Sequence, residues 1–270
     1  MLEADKVFAG SVPENYDRHM VPLIFERYAA DLARRAAALS PRAVLETAAG
    51  TGVVTRALAP RLSPSASYVV TDLNQPMLDH AASRQGQDSR IAWRQADALA
   101  LPFEDAGFDL VCCQFGAMFF PDRARAYGEA RRVLRPGGHF LFSVWDRIEE
   151  NVFADDVTNA LARIFPADPP RFLARTPHGY HDTDLIRREL EAAGFSRVAI
   201  ETRAEQSRAA SARVPAVAYC QGTLLRNEIE ARAPGKLEAA TDYAEAAIAE
   251  RHGTGEVAAR IQAHIVMAVA

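Results

Sequence analysis

Basic charge is what this chain has too little of to suggest a polyanion partner: 31 lysines and arginines stand against 35 aspartates and glutamates, a net charge of -4. With no cationic surplus there is no electrostatic footprint for nucleic acid, which is therefore not expected as a partner. Cysteine is scarce too. Cys112, Cys113 and Cys220 form neither a CxxC pair nor a cysteine–histidine set at metal-ligand spacing, so neither a metal site nor a disulfide framework is expected. They read as buried, reduced thiols. No apolar run approaches the roughly 18 residues that a membrane span needs. The opening MLEADKVFAGSVPENYD carries acidic residues where a secretory leader would have an apolar core, so a cytoplasmic location is expected. The G-x-x-x-x-G-K-[ST] loop of nucleotide triphosphatases is missing as well.

What is present is an ordinary globular balance, 49% apolar and 24% charged, in a 270-residue chain long enough for one substantial core with a smaller cap. Residues 21–39 read as a helix with Phe25, Tyr28, Leu32 and Ala36 on its buried face and Asp31, Arg34 and Arg35 on others. Ala43 to Glu46 is a short strand, Thr47 to Gly52 a tight turn, and Val53 to Leu58 a helix. The unit then repeats: Ser67 to Thr71 is a strand, and Pro76 stands at a first helical position before Met77, Leu78 and Ala81. Ile91 to Gln95 and Phe108 to Cys113 add strands. Asp122 is placed to cap the next helix, and Arg135-Pro136-Gly137-Gly138 ends it and turns into the strand His139 to Val144. Short strands alternating with helices predict an α/β fold with a doubly wound, mostly parallel, Rossmann-like sheet. Beyond Trp145 the rhythm weakens. Helices near 151–165 and 186–194, strands at 197–202 and 261–269, and an alanine-rich helical stretch at 204–255 complete the reading.

In such a sheet ligands bind beyond the carboxyl ends of the strands, where the winding reverses. The turn there is Glu46-Thr47-Ala48-Ala49-Gly50-Thr51-Gly52, whose small residues let a ligand approach the backbone and whose helix presents unpaired N–H groups. Glycine alone is weak evidence, because tight turns need it for conformational reasons. Asp72, at the end of the second strand, can accept bonds from two ribose hydroxyls of a nucleoside, or can simply cap the following helix. Asp97, followed by Ala98, ends the third strand at a height suited to an adenine amino group. Glu46, Asp72 and Asp97 together would share one crevice, which capping alone explains poorly. A nicotinamide cofactor would want GxGxxG, but read from Gly50 the third place is Thr55, so a nicotinamide oxidoreductase is the weaker alternative.

Four segments in this order and spacing, Val44 to Gly52, Thr71-Asp72, Ala96 to Phe103 and Arg132 to Gly138, resemble the class I S-adenosylmethionine-dependent methyltransferases. The resemblance is strongest to the branch of the ubiquinone and menaquinone C-methyltransferases and runs from about Val7 to Trp145. It implies a seven-stranded sheet with the last strand antiparallel and S-adenosylmethionine as cofactor. It further implies that Glu46 and the backbone of Ala48, Gly50, Thr51 and Gly52 hold the methionine part, and Asp72, with Leu73 and Met77 beside it, the ribose. Asp97 and Ala98 would hold the adenine. Gln114 would face the sulfonium and the acceptor, and Tyr16 would close over the cofactor. Ala48 departs from the family, which usually has its first glycine there.

The acceptor is expected to be a small, apolar or aromatic molecule, lodged against Phe115, Met118, Phe119 and Phe120, although such a stripe also suits plain core. Tyr180 and His181, with His178 beside them, are candidates for a general base, should the acceptor have to lose a proton. The expected division is a helical segment at 1–40, a cofactor core at 41–146, and cap insertions at 147–182 and 204–255. Residues 183–203 and 256–270 return to the sheet. A protein that binds the nucleoside without catalysis is the remaining alternative.

Overall fold

A computed structural model describes residues 16–270, so the opening residues, where the family likeness begins at Val7, lie outside the described residues. Seven strands form one sheet: β1 (Ala43–Glu46), β2 (Ser67–Asp72), β3 (Ile91–Gln95), β4 (Phe108–Gln114), β5 (Leu134–Trp145), β6 (Ser196–Ala209) and β7 (Val257–Val269). Their spatial order is β3-β2-β1-β4-β5-β7-β6. β7 runs antiparallel to both its neighbours, and every other pairing is parallel. All four residues of β1 are buried and β4 is nearly so, as strands covered on both faces must be.

The first two helices are one continuous rod wound two ways. α1 (Tyr16–Phe25) is a π-helix with Pro22 inside it, and α2 (Glu26–Ala38) is an ordinary α-helix. Proline lacks the N–H that the α pattern needs and crowds the preceding carbonyl, and the wider turn accommodates it. The winding has a positional consequence. Nine residues of α-helix are two and a half turns and would set Tyr16 and Phe25 on opposite faces, whereas here their rings stack with centroids 5.2 Å apart. Asp31, which the sequence places off the buried stripe, is itself only 4% exposed. Three guanidinium groups make that burial tolerable: Arg34 at 2.6 Å, Arg35 at 2.7 Å, and Arg203 on β6 at 2.7 Å.

α3 (Val53–Leu58) and α4 (Gln75–Gln85) follow β1 and β2, and α5 (Arg123–Val133) precedes β5. Asp122 caps α5 by accepting from the Arg125 backbone N–H at 3.0 Å. Pro136 to Gly138 fall inside β5 rather than before it, as a bulge where the register with β4 shifts. Gly137, at φ +81°, supplies the left-handed residue that this bulge requires. α8 (Thr183–Ala192), capped by Asp182, packs beside α5.

The strands β6 and β7 are longer than the sequence suggests, pairing continuously from Ile200↔Val266 to Ala209↔Val257. β6 is an edge strand with charge on both faces, Glu205 beside Arg203 on the half-buried face that meets Asp31 and Arg208 on the exposed one, so the residues from 204 onward read as helix when they belong to strand. The cap therefore starts beyond Ala209, with α9 (Arg213–Gly222), α10 (Leu225–Arg232) and α11 (Leu237–His252). α9 and α11 pack on α6 (Val152–Ile164), α10 packs on α9 and α11, and α9 also packs on α1; the short α7 (Phe172–Arg175) touches α6 and α10. Among the described residues no helix is long and apolar enough to cross a membrane.

Candidate cofactor and acceptor cleft

Winding leaves β1 outward through β2 and β3, then reverses to β4 and β5, so the carboxyl ends of β1 and β4 flank a crevice. The turn Thr47 to Gly52 forms its floor, pinned on both sides. Thr47 N donates to Cys112 O at 2.9 Å and Ala49 N to Thr71 O at 3.0 Å. Ala48, Gly50 and Gly52 all have positive φ, at 52°, 56° and 78°. A Cβ added at Gly50 would meet nothing within 4 Å, because that side is the open cleft. At Gly52 it would lie 2.9 Å from the Ala81 methyl, so this glycine lets α3 approach α4. Gly52 is not among the residues lining the cleft.

Glu46 is 2% exposed and accepts from Thr55 Oγ1 at 2.7 Å and from the Tyr68 hydroxyl. Burial pushes its carboxyl up to about 7 against those two hydrogen bonds and Arg56, which favour the charged form. The place where a dinucleotide fingerprint wants glycine is thus taken by Thr55 as a donor to this acid. Asp72 is also buried. Its Oδ2 accepts from Gly50 N and its Oδ1 from Asn74 N, both at 2.8 Å. Burial raises its pKa, with the Asn74 and Gly50 backbone donors opposing. Asn74 Nδ2 also donates to Oδ1, at a long 3.5 Å. A carboxylate has about four acceptor sites, so Oδ2 keeps capacity for one more donor and Oδ1 gains it once that long contact is given up. Leu73 beside it is among the exposed large apolar residues, at 46%. Asp97 lies at the rim, its Oδ1 accepting from Leu99 N at 2.9 Å.

On the β4 side, Gln114 Nε2 donates to Phe25 O at 3.4 Å. Gln114 Oε1 and Thr51 Oγ1 are buried with no hydrogen-bond partner among the described residues. Phe115, at φ +52°, is a bulky residue in the left-handed region, held there by stacking on Trp145 at 3.8 Å between centroids. Tyr16 and Phe25 form the roof. Burial, and to a lesser degree the nearby Asp72, push the Tyr16 phenol above its ordinary value.

One cleft thus gathers Tyr16, Glu46, Ala48, Gly50, Thr51, Asp72, Leu73, Met77, Asp97, Ala98 and Gln114. It also takes in Phe25, Asn74, Leu99, Gly116 and Pro121, which sequence reasoning did not single out. Phe25 was legible as apolar and helical, but its place in the roof depends on the π-winding. Phe115, Phe119 and Phe120 line the cleft and Met118 does not. Every described lining residue falls between Tyr16 and Pro121, and none comes from the cap segments expected to form the acceptor side.

Neither candidate for a base lines the cleft. Tyr180 is 3% exposed between α5 and α8, its hydroxyl donating to Glu189 at 2.5 Å and lying 3.0 Å from that of Tyr127. Arg123 covers its ring at 4.0 Å. Burial and the Glu189 carboxylate push this phenol upward, so it stays a proton donor. His178 is buried behind Trp145, its Nδ1 2.8 Å from Asp146 O, and burial lowers its pKa to about 4. His181, half-buried in the same loop, is likewise not among the lining residues.

Residues 45–142 match the family model described as a methyltransferase domain. A demethylmenaquinone methyltransferase of Thermus thermophilus is 32% identical over 186 residues, 64% of this chain and 82% of that protein. A ubiquinone/menaquinone biosynthesis C-methyltransferase of Saccharophagus degradans is 28% identical over 57% of this chain and 67% of its own length. Among solved structures, a putative methyltransferase from Bacillus halodurans shares the fold at TM-score 0.57 and 23% identity, covering 89% of this chain and 97% of that one.

Proposed function

Because this chain belongs to the class I S-adenosylmethionine-dependent methyltransferases, in the branch of the ubiquinone and menaquinone C-methyltransferases, we propose that its acceptor is a small apolar or aromatic molecule. That molecule would sit at the phenylalanine end of the cleft. The observation that carries this reading is the division of the cleft itself, with carboxylates at the ends of β1 to β3 and Phe25, Phe115, Phe119 and Phe120 at the end of β4.

The residues present fit the cofactor. Two buried polar atoms, Thr51 Oγ1 and Gln114 Oε1, lack partners among the described residues, and Gly50 leaves open space where a side chain would stand. Asp72 would take the ribose hydroxyls, one on the spare site of Oδ2 and one on Oδ1 in place of the long Asn74 Nδ2 contact, and the Asp97 and Ala98 segment the adenine. Glu46 and the turn backbone would take the methionine part, and Gln114 would lie toward the sulfonium. When bound, S-adenosylmethionine supplies a methyl group already activated for in-line displacement. The protein's share is then position and dryness: the floor fixes one reactant, Phe115 backed by Trp145 presents a rigid apolar wall, and the Tyr16–Phe25 roof keeps water out.

Calorimetry of S-adenosylhomocysteine binding tests the placement. Asp72→Ala should weaken it by about 1.5–3 kcal/mol, the range for hydrogen bonds to a charged group, in a protein that still folds. Unchanged affinity would remove Asp72 from the site. For the acceptor, a panel of hydroxylated aromatics and quinols set against hydrophilic amines should yield S-adenosylhomocysteine only with the former, and turnover confined to the amines would overturn the reading.

A further inference from the structure

The residue next to Tyr16 faces away from the cleft and is tied down. The side chain of Asp17 is 10% exposed and wedged between α3 and α4. Its Oδ1 lies 3.1 Å from Arg56 Nη2, and its Oδ2 3.4 Å from Arg84 Nε. His80 Nε2 is 3.3 Å from Oδ2, close but not aligned for a hydrogen bond. Arg56 meanwhile donates through Nη1 to Thr51 O at 2.5 Å, so one guanidinium joins the roof to the glycine-bearing floor. Tyr16 reaches inward to line the cleft near Asp72 while Asp17 reaches outward to α3 and α4, the helices that follow β1 and β2. α1 therefore crosses the cleft as a strap fastened at its start by these ion pairs and continuous at its end with α2.

We propose that Asp17 is the positioning residue that latches this strap, and that its ion pairs set how fast the cofactor and its demethylated product pass in and out. The inference rests on the placement of the cofactor in the cleft argued above. A nucleoside under Tyr16 and Phe25 leaves only if the strap lifts, and lifting draws Asp17 away from Arg56 and Arg84. Breaking a pair that holds the closed strap lowers the barrier to its lifting, and where opening limits release the effect appears chiefly in dissociation.

The test is stopped-flow measurement of S-adenosylhomocysteine binding to the full chain, followed by tryptophan fluorescence, in wild type, Asp17→Asn, Asp17→Glu and Arg84→Gln. In Asp17→Asn the dissociation rate should rise about tenfold, with a smaller rise in association, so that Kd changes less than either rate would suggest. The wild-type dissociation rate should increase with ionic strength and that of Asp17→Asn should be nearly flat, because only the former has a charge pair to screen. Asp17→Glu should recover most of the slow release. Arg84→Gln, on a mostly exposed side chain, should accelerate release a few-fold and keeps the test open should Asp17→Asn fold poorly. A purely structural aspartate would lower the melting temperature without moving the salt dependence. Dissociation rates in both Asp17→Asn and Arg84→Gln within about twofold of a salt-insensitive wild type would overturn the latch. Failure of Asp72→Ala to alter affinity would instead overturn the cofactor's placement.

Discussion

Ala48 and Gly116 share a space that holds one methyl group. Ala48 stands in the left-handed region, which costs an L-residue about 1–2 kcal/mol. A Cβ on Gly116 would lie 2.5 Å from the Ala48 methyl and 2.7 Å from Cys113 Sγ. The departure from the family glycine at position 48 is thus absorbed by a glycine on the facing loop. Gly116→Ala should destabilise by about 1–3 kcal/mol through overpacking, and Ala48→Gly should be neutral or stabilising by up to about 1 kcal/mol. The double substitution should recover part of the loss, since Cys113 remains; zero coupling in urea denaturation would show that the two sites act independently. Glu46 makes a separate prediction. Its carboxyl, raised from an ordinary 4.5 to about 7, keeps its proton in the folded chain after the unfolded chain has lost it. Stability should therefore fall as pH rises through that window, by up to about 3 kcal/mol relative to Glu46→Gln. Melting curves of the two proteins at about pH 5 and about pH 8 that move in parallel would contradict this. Glu46, Asp72 and Asp97 were legible because strand ends are fixed by periodicity. The Ala48–Gly116 pairing was not, because it joins residues far apart in the chain, and no local pattern reports the gap between two loops.

At the scale of elements, α5 and α8 are held together by a polar chain that runs from the half-buried Arg123 and Glu189 to two buried tyrosines. Arg123 makes a two-pronged contact with Glu189 at 2.9 and 3.0 Å, Glu189 accepts from Tyr180, and Tyr180 meets Tyr127. Tyr180→Phe takes a donor from a half-buried carboxylate and should cost about 1.5–3 kcal/mol of stability, read by chemical denaturation, with little change in turnover. A loss of turnover of roughly 10² or more at full stability would return Tyr180 to the role of general base. The strands and helices of the first half were readable because each carries its own period and its own stop, such as Pro76 after β2 or Asp122 before α5. The long β6 was not readable past Thr202. An edge strand that carries charge on both faces shows no clean two-residue alternation, and only the pairing with β7 decides between strand and helix. The π-winding of α1 was equally hidden, since Pro22 signals a break without saying how the chain will relieve it.

Taken as one molecule, the protein places its whole described cleft in the span from Tyr16 to Pro121 and leaves the later helices to buttress it from behind α1. S-adenosylhomocysteine at 100 times its Kd should therefore raise unfolding free energy by about 2.7 kcal/mol, and NADH should not. Stabilisation by NADH alone would contradict the family assignment as applied to this cleft. The sequence's rhythm was enough to give the doubly wound sheet and its switch point, while the cap's contacts depend on helices with weak faces of their own.

The position of β7 has a consequence for how the chain must be made. It is the latest strand in the sequence, yet in space it lies between β5 and β6, and its end is fastened by Gly137 N to Ala270 O and by Ala270 N to Gly138 O. A ribosome delivers residues in order, so β6 emerges with no partner in the sheet and must wait, its edge open, through residues 210–256 before β7 begins. Both contacts that then form are non-local, which makes the closing of this sheet a late and slow event. Premature termination before Val257 would therefore do more than shorten the protein: it would leave β5 and β6 as two unpaired edges on one chain, each a template for a neighbour in the same condition.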